Sequence, residues 1–232
     1  MNSESLDNIK SLMAAGEDIE SVLRQNMHFI RQAANKNQPE VRDFLLKLLY
    51  EQKPENHSSI VELFSSLSLF KDPLLIPEML SFTKRGNTYA YDLILFLLEF
   101  DTEDLKPFSE EIVLYLSELL NDDVPYANLV LEVIAKLNPR KTIGLIIDNG
   151  YLHHNYRQIQ RAAIGIFIKA VKKSNQSELL NYVIDFLMHS DPVVRWITAL
   201  NLKKCYPSLF KHLNLITFVN DLPKSKNLEN LN

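Results

Sequence analysis

The chain has 232 residues, 46% of them apolar and 23% charged, with five glycines, one cysteine, one tryptophan and a formal net charge of −4. Its length allows one domain or a pair, with a substantial core. Glycine at about 2%, against an ordinary share of about 7%, disfavours all-β sandwiches and dinucleotide-binding folds, and the many leucines favour an all-helical chain. The first ten residues show no basic stretch leading into an apolar one, and the longest uninterrupted apolar run, Leu93 to Leu98, is far too short to span a bilayer. Cys205 alone cannot form an internal disulfide, so a cytoplasmic chain with an inert thiol is expected.

Apolar periodicity predicts helices in the following order. A first run covers 17–34, and a helix anchored at Val41 follows, then runs at 58–70 and 76–84. A helix anchored at Ala90 precedes a run at 109–121, and one anchored at Tyr126 precedes a run at 141–149. Helices anchored at Gln160 and Val194 flank a run at 177–189, and a last short helix is placed at 211–220. Residues 222–232 read as a polar tail that should fray.

The anchors come from a repeated pattern. In Asp191-Pro192-Val193-Val194-Arg195, the residues 4, 7, 8 and 11 after Val194 fall on one helix stripe about 100° wide. From Gln160 the same offsets give Ile164, Phe167, Ile168 and Val171; from Tyr126, Val130, Val133, Ile134 and Leu137. From Val41 they give Leu45, Leu48, Leu49 and Gln52, and from Ala90 Ile94, Leu97, Leu98 and Asp101, where the last position fails. The anchors are spaced 49, 36, 34 and 34 residues apart, a period that indicates stacked helical hairpins with one irregular repeat. Asp191, Asp123 and Asn87, each three residues before an anchor, are candidate helix caps, and Pro192 suits a first helical position. Gly16, Gly86 and Gly150 fall at predicted helix ends, while Gly144 and Gly165 fall inside helices as candidate close-packing points.

This pattern resembles HEAT repeats, most clearly over 123–205, where Asp-Pro-x-Val-Arg is similar to the usual opening of their second helix. The resemblance implies a right-handed α-solenoid of about five to six hairpins over 1–221, with second helices lining a concave face. It implies no activity, because such repeats are defined by packing.

Charge is unevenly placed. Residues 99–123 carry a net −8 and residues 136–211 a net +8. In a stack, charges at one offset form rows, which here pair Arg161 with Arg195 and Lys169 with Lys203. The competing reading of the two arginines is structural, as salt bridges within and between repeats with Asp191 as partner. Trp196 falls about 200° from the centre of its stripe, where a solvent-facing indole beside Lys203 would make an anchor for a partner, unless a neighbouring hairpin buries it. Leu200, Ile166, Phe96 and Tyr50 share such outer arcs. His153-His154-Asn155-Tyr156-Arg157 reads as a polar surface loop, with no cysteine or carboxylate at zinc-ligand spacing.

No phosphate-binding loop, nucleophile elbow or His-Glu-x-x-His motif is present. The absence of a His-Glu pair sets the chain apart from iron-dependent hydroxylases of HEAT architecture, and no tetrapyrrole site is recognisable. The expectation is a non-catalytic protein-binding module, an adaptor, scaffold or inhibitor, with no cofactor or metal and an acidic patch on its partner. Its expected contact residues are Trp196, Lys203, Arg195, Arg161, Lys169 and Arg157. The alternative is a nucleic-acid-binding HEAT-like protein, of the DNA glycosylase kind, using the same basic rows.

Overall fold

The first two helices begin where the sequence supplies an acceptor for the free amides of a first turn. Ser5 accepts from the Asn8 N–H at the start of α1 (Leu6–Ala14), and Asp18 accepts from the Ser21 N–H at the start of α2 (Ile19–Gln25). The structure is a computed structural model that describes residues 5–53, 55–84, 89–120 and 125–213; among these there is no strand. It divides into two compact units, Met1–Ser109 and Glu110–Asn232.

The first unit continues with α3 (Met27–Asn35), α4 (Pro39–Glu51), α5 (His57–Ser68), α6 (Leu75–Lys84), α7 (Ala90–Leu98) and α8 (Thr102–Leu105), closed by a 3-10 turn at Lys106–Phe108. The run predicted over 17–34 is two helices, and α1 was not anticipated. The break falls at Asn26, which is buried; its side-chain amide donates to the Val22 carbonyl at 2.8 Å and its carbonyl oxygen accepts from Asn8 at 3.3 Å. The Val22 carbonyl also accepts the Asn26 N–H at 3.1 Å and the Asn26 carbonyl accepts from the Ile30 N–H at 3.1 Å, so this one residue closes α2 and opens α3. In this unit α5 packs on α2, α4 and α7, and α6 packs on α7.

The second unit is made of α9 (Ser109–Leu119), α10 (Ala127–Leu137), α11 (Pro139–Asp148), a 3-10 turn at Tyr151–His153, α12 (Arg157–Ser174), a broken segment, α14 (Pro192–Cys205) and α15 (Pro207–His212). The broken segment joins a 3-10 turn (Ser177–Leu180), the single turn α13 (Asn181–Ile184) and a second 3-10 turn (Asp185–Met188) where one helix was expected. Its buried Leu180, Val183 and Phe186 are spaced by three, the period of the 3-10 helix. Helices α10, α12 and α14 pack each on the next, with α11 against both α10 and α12.

The repeated stripe is the core. Val130, Val133 and Ile134 of α10, and Ile164, Phe167, Ile168 and Val171 of α12, are buried, as are Leu45, Leu48 and Leu49 of α4. On α14 the stripe is leaner: Thr198 and Leu202 are buried, Asn201 and Cys205 half-buried. Ile166 and Phe96, placed on outer arcs by the pattern, are buried too, because a helix packed between two neighbours has a wide apolar face. The caps proposed at Asn87 and Asp123, the helix end at Gly86 and the tail at 222–232 lie outside the described residues. The last short helix is α15, which starts earlier than 211, and the rest of the predicted 211–220 run beyond 213 is likewise undescribed.

Two glycines follow α1 and α11 with left-handed backbones, Gly16 at φ +83° and Gly150 at φ +66°, where a side chain would be strained. The two inside helices differ from one another. A Cβ on Gly165 would lie 3.2 Å from the Asn201 side-chain amide of α14, which is held on the Ile197 carbonyl, so Gly165 marks a close helix approach. A Cβ on Gly144 would meet only the Asp148 carboxylate at 3.8 Å. Gly144→Ala is therefore expected to stabilise by about 0.5–1 kcal/mol and raise Tm by about 2–4 °C. Gly165→Val should instead lower stability by about 1–3 kcal/mol through overpacking. Paired melting curves followed by circular dichroism check the opposite signs, and a stabilised Gly165→Val would remove the close approach.

Candidate functional site

Asp191 precedes α14 with an extended backbone and uses both of its carboxylate oxygens. Oδ1 accepts from the Val193 N–H at 2.9 Å, capping α14, and Oδ2 accepts from Arg161 Nη2 at 2.8 Å, with Arg157 Nη1 at 3.5 Å. The Asp191 side chain is only 8% exposed and that of Arg161 22%, whereas that of Arg157 is 73% exposed. Burial alone would push the carboxyl up; the Arg161 hydrogen bond, the Val193 N–H and the charges of Arg161 and Arg157 together hold it below its ordinary range. Arg195 donates from Nη1 to the carbonyls of His189 (2.6 Å) and Ser190 (3.0 Å), and among the described residues it has no carboxylate partner.

The same device recurs in the first unit. Arg42 of α4 donates to Asp72 Oδ2, and Asp72 Oδ1 accepts from the Leu74 N–H at 3.0 Å just before α6. Arg42 to Asp72 and Arg161 to Asp191 are both 30 residues apart, and both aspartates precede a proline. Asp72-Pro73 thus leads into a helix as Asp191-Pro192 does, and Leu75 stands 34 residues after Val41, as Val194 stands 34 after Gln160. The packing around the two pairs differs: α12 packs directly on α14, whereas α7 packs with α5 and α6. Tyr50 of α4 supports the pairing by donating to the Glu78 carboxylate of α6 at 2.6 Å and packing edge-on against Phe82.

Two histidines complete the helix starts of the second unit. His154 Nδ1 accepts the Tyr156 N–H at 3.1 Å and His189 Nδ1 accepts the Asp191 N–H at 3.0 Å, in each case from the residue preceding the helix. The 153–157 stretch is accordingly built, with the His154 ring stacked near both Tyr151 and Tyr156 and His153 against Phe186. The signal for this, His154 and His189 set 35 residues apart, was present in the sequence but unread.

At the opposite ends of α12 and α14 lies a different surface. Lys169, Lys172, Lys173, Lys203 and Lys204 are all exposed in or near the last turns of the two helices. None has a carboxylate within ion-pair distance among the described residues. Lys172 Nζ sits 5.1 Å over the Tyr206 ring and Lys203 Nζ 6.0 Å over the Phe210 ring. Lys169, Lys172 and Lys204 also act on the half-buried Cys205; burial raises its thiol above the ordinary range despite these cations, so it stays protonated at neutral pH.

The six expected contact residues therefore fall into separate groups. Arg157, Arg161 and Arg195 gather around the start of α14, while Lys169 and Lys203 belong to the far ends, about 18 Å or more away from Arg157 by helix rise along α12. Trp196 is half-buried rather than solvent-facing and lies one turn into α14, two turns before Lys203 on the same helix face. Among the described residues no group of three or more His, Cys, Asp or Glu side chains could hold a metal ion, and no helix is long and apolar enough to cross a membrane.

The Asp191 carboxylate has a folded-state pKa below its unfolded value, so its contribution to stability is full above about pH 5 and is lost as pH falls through the folded value. Asp191→Ala should cost about 2–3 kcal/mol, from the cap and the buried ion pair, and should flatten part of the acid limb of a Tm-versus-pH curve. Asp191→Asn, which keeps an acceptor for Val193, should cost about half as much while flattening the same limb. An unchanged acid limb in both variants would show that Asp191 is not the titrating group. No protein-family model, curated protein or solved structure matches this chain.

Proposed function

We propose that this chain is a HEAT-like α-solenoid protein that works in the cytoplasm as a non-catalytic binding module, and that its lysine edge receives an acidic surface of a partner protein. The observation that carries this reading is the set of five exposed lysines at the ends of α12 and α14 without carboxylate partners among the described residues. Lysines in a last turn favour the helix C-terminus by about 0.3–1 kcal/mol, which accounts for one or two per helix. Lys169, five residues before the end of α12, gains little from that effect. Half-buried Tyr206 and Trp196 supply apolar area beside the cations, the combination found at protein contact sites. The Arg–Asp clamps recurring at equal spacing support the repeat reading.

A phosphate backbone is the weaker fit. Forked recognition of phosphate favours arginine, and the lysine edge carries none: Arg161 is held by Asp191 and Arg195 by backbone carbonyls at the other end of these helices. The edge itself offers point charges, suited to carboxylates spread over a protein surface.

The test compares a fluorescent polyglutamate peptide with a DNA duplex of equal charge, each titrated with the full chain at about 50 and about 200 mM salt. Peptide binding that Lys169→Glu with Lys203→Glu weakens at least about tenfold, at unchanged helicity and Tm, is the expected result. Lysine-dependent binding of the duplex in preference to the peptide would replace this reading with nucleic-acid recognition, and no binding of either would overturn it. With the native partner in hand, Trp196→Ala combined with Lys203→Glu should abolish capture while the fold persists.

A further inference from the structure

Helix α9 presents an exposed leucine on an acidic face. Ile112, Tyr115, Leu116 and Leu119 are buried on its core side, while Glu110, Glu111, Leu114 and Glu118 are exposed, Leu114 by 64%. Glu110, Leu114 and Glu118 follow one another at intervals of four, so they lie within about 80° of each other, along about 12 Å of helix. A single exposed leucine is ordinary. This one has a carboxylate one turn away on either side, and neither Glu110 nor Glu118 has a cationic partner among the described residues.

The lysine edge has the complementary character. Its floor is half-buried Cys205 and Tyr206, its rim Lys169, Lys172 and Lys204, with Glu178 acting on Tyr206 from one side. Each surface therefore offers apolar area flanked by charges of one sign, and the two signs are opposite. Both belong to the second unit.

We infer that the lysine edge binds α9 of a second copy of this chain, with Leu114 seated against Tyr206 and Glu110 and Glu118 among the lysines. The inference rests on the lysine edge being a protein-binding surface, as proposed above. Because the two faces differ, the contact is heterologous: every copy offers one face of each kind, and association runs head to tail into open chains or a closed ring. Exposed ion pairs each contribute little, so the contact is weak and salt-sensitive, with Leu114 supplying the part that salt does not remove.

Sedimentation velocity of the full chain over a wide concentration range, at about 20 and about 300 mM salt, measures it directly. Self-association is expected at low salt, with an association constant at least about tenfold lower at high salt. Glu110→Lys with Glu118→Lys in one variant, and Lys169→Glu with Lys204→Glu in another, should each leave a monomer, since like charges then meet. An equimolar mixture should associate again, because the reversed α9 of the first fits the reversed edge of the second. Leu114→Ser should weaken association several-fold at an unchanged Tm, and it decides the matter should the charge variants melt early. A wild-type chain that stays monomeric at low salt overturns the inference. So does association that neither charge variant reduces, that the mixture does not restore, or that Leu114→Ser leaves intact. A monomeric chain that still binds polyglutamate through Lys169 and Lys203 refutes only the second-copy occupant; loss of peptide binding refutes the binding edge itself.

Discussion

The second unit is organised by one carboxylate. Asp191 is nearly buried, and it persists as an anion because one oxygen caps α14 while the other holds Arg161 of α12. The bond therefore joins the beginning of α14 to the beginning of α12, fixing how far along each other they lie. A slip by one turn would strand a buried charge, which costs several kcal/mol. Gly165, placed where α14 comes closest, lets the two backbones approach in the register that the ion pair sets. Asp72 and Arg42 repeat the arrangement between α4 and α6, but there Leu46 stands at the position corresponding to Gly165, and the helices meet through long side chains such as Tyr50 and Phe82.

The clamp explains which parts of the structure were legible in the sequence. The stripe of apolar residues at offsets 4, 7 and 8 located α4, α10, α12 and α14, because burial of one helix face leaves a periodic trace. Periodicity does not say which neighbour covers that face. The pattern read Asp72-Pro73 as a break, although the aspartate stands 30 residues after Arg42 just as Asp191 stands 30 after Arg161. Other departures have local causes. Buried Asn26 ties the end of α2 to Asn8 of α1, the spacing of Leu180, Val183 and Phe186 favours a tighter helix, and Ser5 caps a helix whose only buried residue is Ile9. The site was legible by residue type but not by grouping, since shared offsets align rows without revealing that an arginine's charge is already spent.

That distinction divides the basic charge of the second unit into two kinds. A guanidinium is planar and carries several donors, so it can satisfy a carboxylate or several carbonyls in a fixed geometry at low exposure, as Arg161 and Arg195 do. An ammonium on a four-carbon stem keeps its hydration and projects from a helix end, as Lys169, Lys172, Lys173, Lys203 and Lys204 do. These two arginines accordingly build the fold, and the lysines define the field at the far helix ends. A net charge of −4 for the whole chain conceals this, since the residues that balance those lysines are carried elsewhere in the sequence, on α9 and the stretch before it.

Separation of unlike charges within one folded chain has an energetic consequence. Exposed lysines and glutamates that do not pair internally leave electrostatic free energy ungained, and ions in solution recover only part of it. Local pairing would have been cheap to encode: Lys47 with Glu51, and Lys106 with Glu103, are held one helical turn apart in the first unit. On α9 the positions four residues either side of Leu114, Glu110 and Glu118, are both acidic, and on the ends of α12 and α14 the neighbouring positions are predominantly basic. A fold that neutralises charge within a turn in one place and concentrates it in another leaves two surfaces of opposite sign whose charge is balanced by ions in solution.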